Sequence, residues 1–206
     1  MLIEIVKALL LGLCVAVPIG PVLLLVLEKT FSRGRKWGLV TGFGSAVIDT
    51  IYAGVGLYAL SLVREYVLGH EDIFMVAGGA ILVAIGFWMA FRKPDKVRQR
   101  EFKGKTAASY ALQAAGCALS NPGAIVFSFS LLAFFRLGAE TDKSPVWLIL
   151  LCVFLGEMLW WNFLTYALVH FKRFSSRTIR RLSHFAGCGI LAFGIFLIVK
   201  GLLLLV

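Results

Sequence analysis

Acidic residues are scarce in this chain: 11 aspartates and glutamates stand against 21 lysines and arginines, a formal net charge of +10. Such a surplus can signal nucleic acid. Here the basic residues lie in short stretches between apolar runs, where a membrane protein keeps them, so no nucleic-acid partner is implied. Cysteine and histidine are sparse as well. Cys14, Cys117, Cys152 and Cys188 all fall within hydrophobic segments, without a Cys-x-x-Cys pair, and His70, His170 and His184 sit at segment ends. Neither spacing suits zinc, and neither a metal nor a cofactor is implied. Charged residues make up only 16 % of the chain and hydrophobic ones 60 %, at a mean hydropathy of +0.89. A soluble chain of 206 residues has no use for so much apolar surface, so the class is integral membrane protein.

Crossing the hydrocarbon of a bilayer takes about 20 apolar residues. Six runs qualify, at about 3–27, 38–63, 73–91, 107–135, 145–170 and 183–206. The first is too long for a removable signal peptide and lacks a small-residue cleavage region, so it is expected to stay as a membrane helix. Charge in the connections alternates. Loop one holds Lys29, Arg33, Arg35 and Lys36; loop three Arg92, Lys93, Lys96, Arg98, Arg100, Lys103 and Lys105; loop five Lys172, Arg173, Arg177, Arg180 and Arg181. Loops two and four offer only Arg64, Arg136 and Lys143. The positive-inside rule then places the odd loops in the cytoplasm and both termini on the periplasmic side.

The chain reads as one transporter domain over 1–206, built of repeat one (about 1–91), a basic loop (about 92–106) and repeat two (about 107–206). Ala77-Gly78-Gly79-Ala80-Ile81-Leu82 resembles Ala186-Gly187-Cys188-Gly189-Ile190-Leu191, and Gly44 with Asp49 and Tyr52 is matched, more weakly, by Gly156-Glu157 with Trp161. Three spans per repeat is an odd number, so the second copy enters from the opposite side: an all-α fold of two inverted three-helix repeats. Chance likeness between small-residue helices is the competing explanation.

Two apolar runs are interrupted at corresponding places, by Pro18-Ile19-Gly20-Pro21 in the first and Asn121-Pro122-Gly123 in the fourth. A proline within a helix removes a donor and clashes with the preceding turn. Lipid cannot satisfy the freed carbonyls, so an opened backbone needs protein or a wet cavity around it. Such paired interruptions point to a transporter's binding site, where amides and helix dipole ends hold a carboxylate and carbonyls hold a cation. A packing kink is the alternative for either break alone.

Asp49 and Glu157 are the acids deep inside spans, with no lysine or arginine placed centrally to balance them. Burying a carboxylate at the bilayer centre costs about 3 kcal/mol on insertion scales. Each is therefore expected to be protonated at rest or to await a cationic ligand; the bland alternative is a protonated acid bonding between helices. Ser45 and Thr41 share the helical face of Asp49. Trp161, one turn beyond Glu157, could serve as wall, gate or core. Gly34, Gly38 and Gly42 form a small-residue ladder suited to helix packing.

Taken together, the Pro-x-Gly-Pro break, the glycine-rich second segment with one acid (Gly42, Gly44, Asp49) and the Asn121-Pro122 break after a basic loop resemble the LysE/RhtB family of amino-acid exporters along the whole chain. Gly123 departs from it, standing where the family usually has lysine. The resemblance implies a secondary transporter of the bacterial inner membrane, not an enzyme. It would export amino acids or similar small metabolites, coupled to an ion or proton gradient, with homodimers as the family's assembly. The residues themselves nominate as its site Asp49, Glu157, Ser45, Trp161 and both breaks; of these Glu157 is not general to the family and marks a second departure from it. Two other readings compete. One is a transmembrane thiol–disulfide carrier of the CcdA type using Cys14 and Cys117, although Val15 to Val17 separate Cys14 from Pro18 where that family puts proline directly before cysteine. The other is a divalent-cation exporter using the two acids.

Overall fold

The computed structural model describes residues 1–17, 20–62, 71–91, 106–135, 137, 144–170 and 176–204. Among these there are eight helices and no strand: α1 (Leu2–Ala16), α2 (Pro21–Arg33), α3 (Arg35–Leu62), α4 (Glu71–Phe91), α5 (Ala107–Leu119), α6 (Pro122–Phe135), α7 (Val146–His170) and α8 (Ser176–Leu204). Within α3 the stretch Arg35–Ala59 is long and apolar enough to cross a membrane, and so is α7. The pairs α1–α2 and α5–α6 qualify as two more if each is a single bent span.

Both bends are sharp, 78° between α1 and α2 and 74° between α5 and α6. Each second half opens on a proline, Pro21 or Pro122, the residue best tolerated in a first turn because its missing N–H would be unbonded there anyway. The interruptions thus divide their segments into separate short helices, each restarting at once in a new direction.

Two of the expected loops are shorter than hydropathy suggests. Loop one is a single residue: Lys29 and Arg33 belong to α2, Arg35 and Lys36 to α3, and only Gly34 lies between. Gly34 adopts φ 99°, a conformation glycine enters without a Cβ clash. It is therefore a hinge point and no rung of a packing ladder; nothing would touch a Cβ there. Likewise α8 begins at Ser176, so Arg177, Arg180 and Arg181 are helical. Charge ends an apolar run but not a helix, because lysine and arginine are good helix formers.

Glycine sets the closest joints. A Cβ on Gly12 would run into the backbone of Val153, and one on Gly156 into that of Leu9 and Leu13, which locks α1 to α7. Gly44 lies in the same way on Ala111, which locks α3 to α5. The pair α4–α8 closes on Gly79, Gly86, Gly187, Gly194 and Gly201, a seven-residue period that turns one narrow seam of each helix toward the other. Gly189, conspicuous in the repeat comparison, touches nothing within 4 Å. The α4–α8 pair meets the rest chiefly through α6, where Phe134 stands edge-on to Phe193 at 4.6 Å.

The buried apolar residues form two clusters. One gathers Ala8, Leu11 and Val15 of α1, Ala53 and Leu57 of α3, Phe127, Leu131 and Leu132 of α6, and Ile149 and Val153 of α7, with Leu82, Ile190 and Leu197 from α4 and α8. The other joins Ala16, Val22, Leu23 and Val26 around the first break to Ile48, Ala114, Ala118, Trp161, Leu164 and Leu168. Four stretches of chain pass from one cluster to the other.

Candidate functional site

Three of those crossings carry polar residues: the second break lies between Ala118 and Phe127, Asp49 between Ile48 and Ala53, and Glu157 between Val153 and Trp161. The fourth is immediate, from Val15 to Ala16, and the first break follows it within the second cluster, before Val22. The molecule therefore has a polar waist between two apolar masses. Gly20 and Asn121 meet there: a Cβ on Gly20 would stand 3.6 Å from Asn121 Nδ2, so the two breaks are neighbours in space. Since α2 and α6 both start at the breaks, their N-terminal ends and positive dipole ends belong there, while at the end of α5 the carbonyls of Gly116 and Ala118 accept from the N–H groups of Ser120 and Asn121. Gly20, in extended conformation, is the residue before α2 and has no side chain with which to cap it.

Asp49 is 6 % exposed, so it does not face lipid. The Ser45 hydroxyl donates to its Oδ2 at 3.0 Å, and Oδ1 is buried without a partner among the described residues. Thr41, a turn below Ser45, is buried too, with its hydroxyl on the Trp37 carbonyl at 2.8 Å. Glu157, on α7, is completely buried, and both of its carboxylate oxygens are unpartnered among the described residues. Their helices, α3 and α7, pack on one another, with Gly42 against Trp161. A carboxylate buried without a counter-ion is costly to keep charged.

Trp161 is 2 % exposed and its indole rests on Gly42, where any Cβ would strike the ring. It is a packed wall between α7 and α3, and Gly38, against Thr30 and Thr165, continues the same seam toward the basic end. At that end the Arg35 guanidinium donates to Asn162 Oδ1 and lies 5.4 Å from the Tyr166 ring centre. Lys29 and Arg33 flank the ring of Tyr110 at 5.1 and 5.7 Å.

Of the residues singled out in the sequence, Asp49, Ser45, Glu157, Trp161, Gly20, Pro21 and Asn121 are thus brought to the waist or its borders. Pro122 and Gly123 form the first turn of α6. Pro18 lies outside the described residues. Cys14 packs against the first cluster and Cys117 against the second, so the two thiols belong to different apolar masses. Among the described residues no three of His, Cys, Asp and Glu gather as a metal site would require.

Two features were missed. Glu4 is also buried, 8 % exposed, with Oε2 at 4.0 Å from the N-terminal amine. It shares a helical stripe with Ala8, Leu11 and Val15, a period that was readable but overshadowed by its place near the chain's start. Tyr52, noted only in the repeat comparison, is the other. Its hydroxyl points at the Ala118 carbonyl, 3.5 Å away at the second break.

Comparison with known proteins supplies a family. Residues 13–201 match the family model described as LysE type translocator. The threonine efflux protein of Salmonella typhi is 28 % identical over 188 residues, covering 88 % of this chain and 90 % of that protein. The threonine efflux protein of Escherichia coli K12 is 25 % identical over 191 residues, with the same two coverages. An uncharacterized membrane protein of Escherichia coli K12, YahN, is 29 % identical over 190 residues, covering 88 % of this chain and 83 % of its own. No solved structure matches the chain.

Proposed function

The chain belongs to the LysE type translocator family, and on that premise we propose that it exports a small amino acid or similar metabolite across the bacterial inner membrane, driven by protons. The observation that carries this reading is the meeting of the two breaks at Gly20 and Asn121, together with one buried acid on each of the packed helices α3 and α7. A zwitterionic amino acid has one group for each half of such a site. Its carboxylate suits the amide ends of α2 and α6, and its ammonium suits Asp49. Asp49 takes either the coupling proton or that ammonium in this scheme, and Glu157, buried on α7 without a partner among the described residues, is a second place for a proton. Moving one charge through 100 mV supplies about 2.3 kcal/mol, which sustains a solute gradient of tens-fold. The names of the threonine efflux relatives make threonine the first solute to try.

The wider arrangement is part of the proposal. Six spans in two inverted repeats give α1–α2, α3 and α4 as one copy and α5–α6, α7 and α8 as the other. The reciprocal glycine joints support it, since α1 locks to α7 as α5 locks to α3. In this topology the termini are periplasmic, and the seam of Gly38 and Gly42 closes the cytoplasmic side of the waist. A homodimer belongs to the same reading, from the family resemblance alone.

The test is efflux. Membrane vesicles loaded with radiolabelled threonine should lose it faster with the protein than without, and a protonophore should abolish uphill movement. Equal rates across a panel of amino acids, with and without the protein, would refute the exporter. The thiol-carrier alternative has its own check. Changing Cys14 and Cys117 to serine together is expected to leave efflux at the unmodified rate, because both thiols serve as small packing groups. A severe loss in that double variant, with the protein still folded, would favour thiol chemistry instead.

A further inference from the structure

Pro122 has no backbone N–H, and in an unbroken helix that donor would bond to the carbonyl four residues back, at Ala118. Ala118 is buried, so water does not replace the missing bond. The Asn121 N–H turns to this oxygen at 3.1 Å, and the Tyr52 hydroxyl approaches it at 3.5 Å. That second distance is long for an O–H donor, so the bond is loose and easily traded.

Tyr52 comes from α3, three residues after Asp49, and a helical side chain leans back over the turn before it. Three residues apart on one helix, Tyr52 and Asp49 are neighbours on the same face. Asp49 engages Ser45 through Oδ2 and keeps a buried Oδ1 without a partner among the described residues. The Tyr52 hydroxyl is thus on the Ala118 carbonyl, with Asp49 a turn away on its own helix, and one phenolic proton can serve only one acceptor at a time.

We propose that Tyr52 is a positioning residue that couples the charge state of Asp49 to the second break. An ionised Asp49 is the stronger acceptor, so the hydroxyl turns toward it and the end of α5 loses a tether. Once a proton or a cationic group neutralises Asp49, the hydroxyl returns to Ala118 and steadies the break. Loading of the waist is thereby reported to the joint between α5 and α6, where a helix must swing for the site to change sides. Glu157, buried on the adjoining α7, is the other acid that bears on this balance, and on α5 Cys117 packs against the same cluster as Tyr52. The identity of the arriving cation rests on the exporter reading; the link from Asp49 through Tyr52 to the break does not.

Cys117, half-buried on the turn before the break, is a built-in reporter. With Cys14, Cys152 and Cys188 changed to serine, its labelling by a membrane-permeant maleimide follows the openness of the end of α5. Asp49→Asn, which fixes the neutral state, should slow that labelling by about fivefold, the effect of one net hydrogen bond. In a Tyr52→Phe background the same change should have almost no effect. An equal response to Asp49→Asn with and without Tyr52→Phe, or no response in either, overturns the inference. If Tyr52→Phe does not accumulate folded, Tyr52→Met, of similar reach and also lacking a donor, carries the same comparison. Labelling uses no transported solute, so it decides this point alone. Threonine efflux, measured in parallel, decides the exporter reading, and the two can fail separately.

Discussion

Replacing Asp49 with asparagine is expected to abolish concentrative efflux while leaving the protein folded in the membrane. Asparagine keeps the size and an acceptor oxygen for the Ser45 hydroxyl, so the packing between the two clusters has no reason to change. What disappears is the ability to exist in two charge states. A carrier of this kind accumulates solute only because an ionisable group binds in one state and releases in the other, and an amide at the waist cannot alternate. The loss should therefore be nearly complete for uphill transport, from a gradient of tens-fold to none. Downhill exchange should survive in part, since the amide ends of α2 and α6 still offer their half of the site. Normal accumulation by the asparagine variant would remove Asp49 from the coupling step. A variant that fails even to exchange would indicate that the carboxylate binds the solute itself.

The second large effect is structural. Valine at Gly44 or Gly156 forces a side chain into the backbone of Ala111 or of Leu9 and Leu13, neither of which can give way as a flexible side chain would. Each helix pair must spread, and overpacking of this kind costs about 1–3 kcal/mol per site. Because small-residue contact holds membrane helices together without help from water, the spread is not offset elsewhere. Thermal aggregation in detergent should begin at clearly lower temperature for both variants. Alanine at Gly116 or Gly189 makes a matched control. Neither glycine has a neighbour within 4 Å, and alanine is the better helix former by about 1 kcal/mol, so those proteins should be as stable or more so. If the valine and alanine variants behave alike, close backbone contact is not what holds α1 to α7 and α3 to α5.

Much of this was legible in the chain itself, for identifiable reasons. Membrane helices announce themselves through length and hydropathy, and the six expected runs overlap the helices closely. Prolines and buried acids stand out against an apolar background, so Asp49, Glu157 and the two breaks could be named at once. Other features were hidden because they are relations between helices. That Gly20 meets Asn121 is a contact between residues a hundred positions apart, and no local pattern encodes it. Gly34 looked like one of a ladder because its spacing from Gly38 and Gly42 is helical; its backbone conformation, which sequence does not print, makes it a junction. The seam of α4 and α8 was obscured by a shorter likeness around Gly78 and Gly189 that drew attention away from the seven-residue spacing. Tyr52 was overlooked as a functional residue because aromatic residues are common in membrane helices, and only the position of the Ala118 carbonyl gives it a role.

The joints of this molecule are of two mechanical kinds. Where α1 meets α7, α3 meets α5 and α4 meets α8, backbone lies on backbone and the pairs behave as welds. Where α6 meets the α4–α8 pair, ring lies against ring, Phe134 on Phe193 and Phe196, and even a Cβ added to Gly78 would stand 4.0 Å from the Ser130 hydroxyl. Edge-on aromatic faces slide past each other at little cost compared with parting two interlocked backbones. An α6 that pivots about Asn121 can therefore rub along its outer neighbour as a shaft turns in a bearing, leaving the flanking pair parked in the lipid.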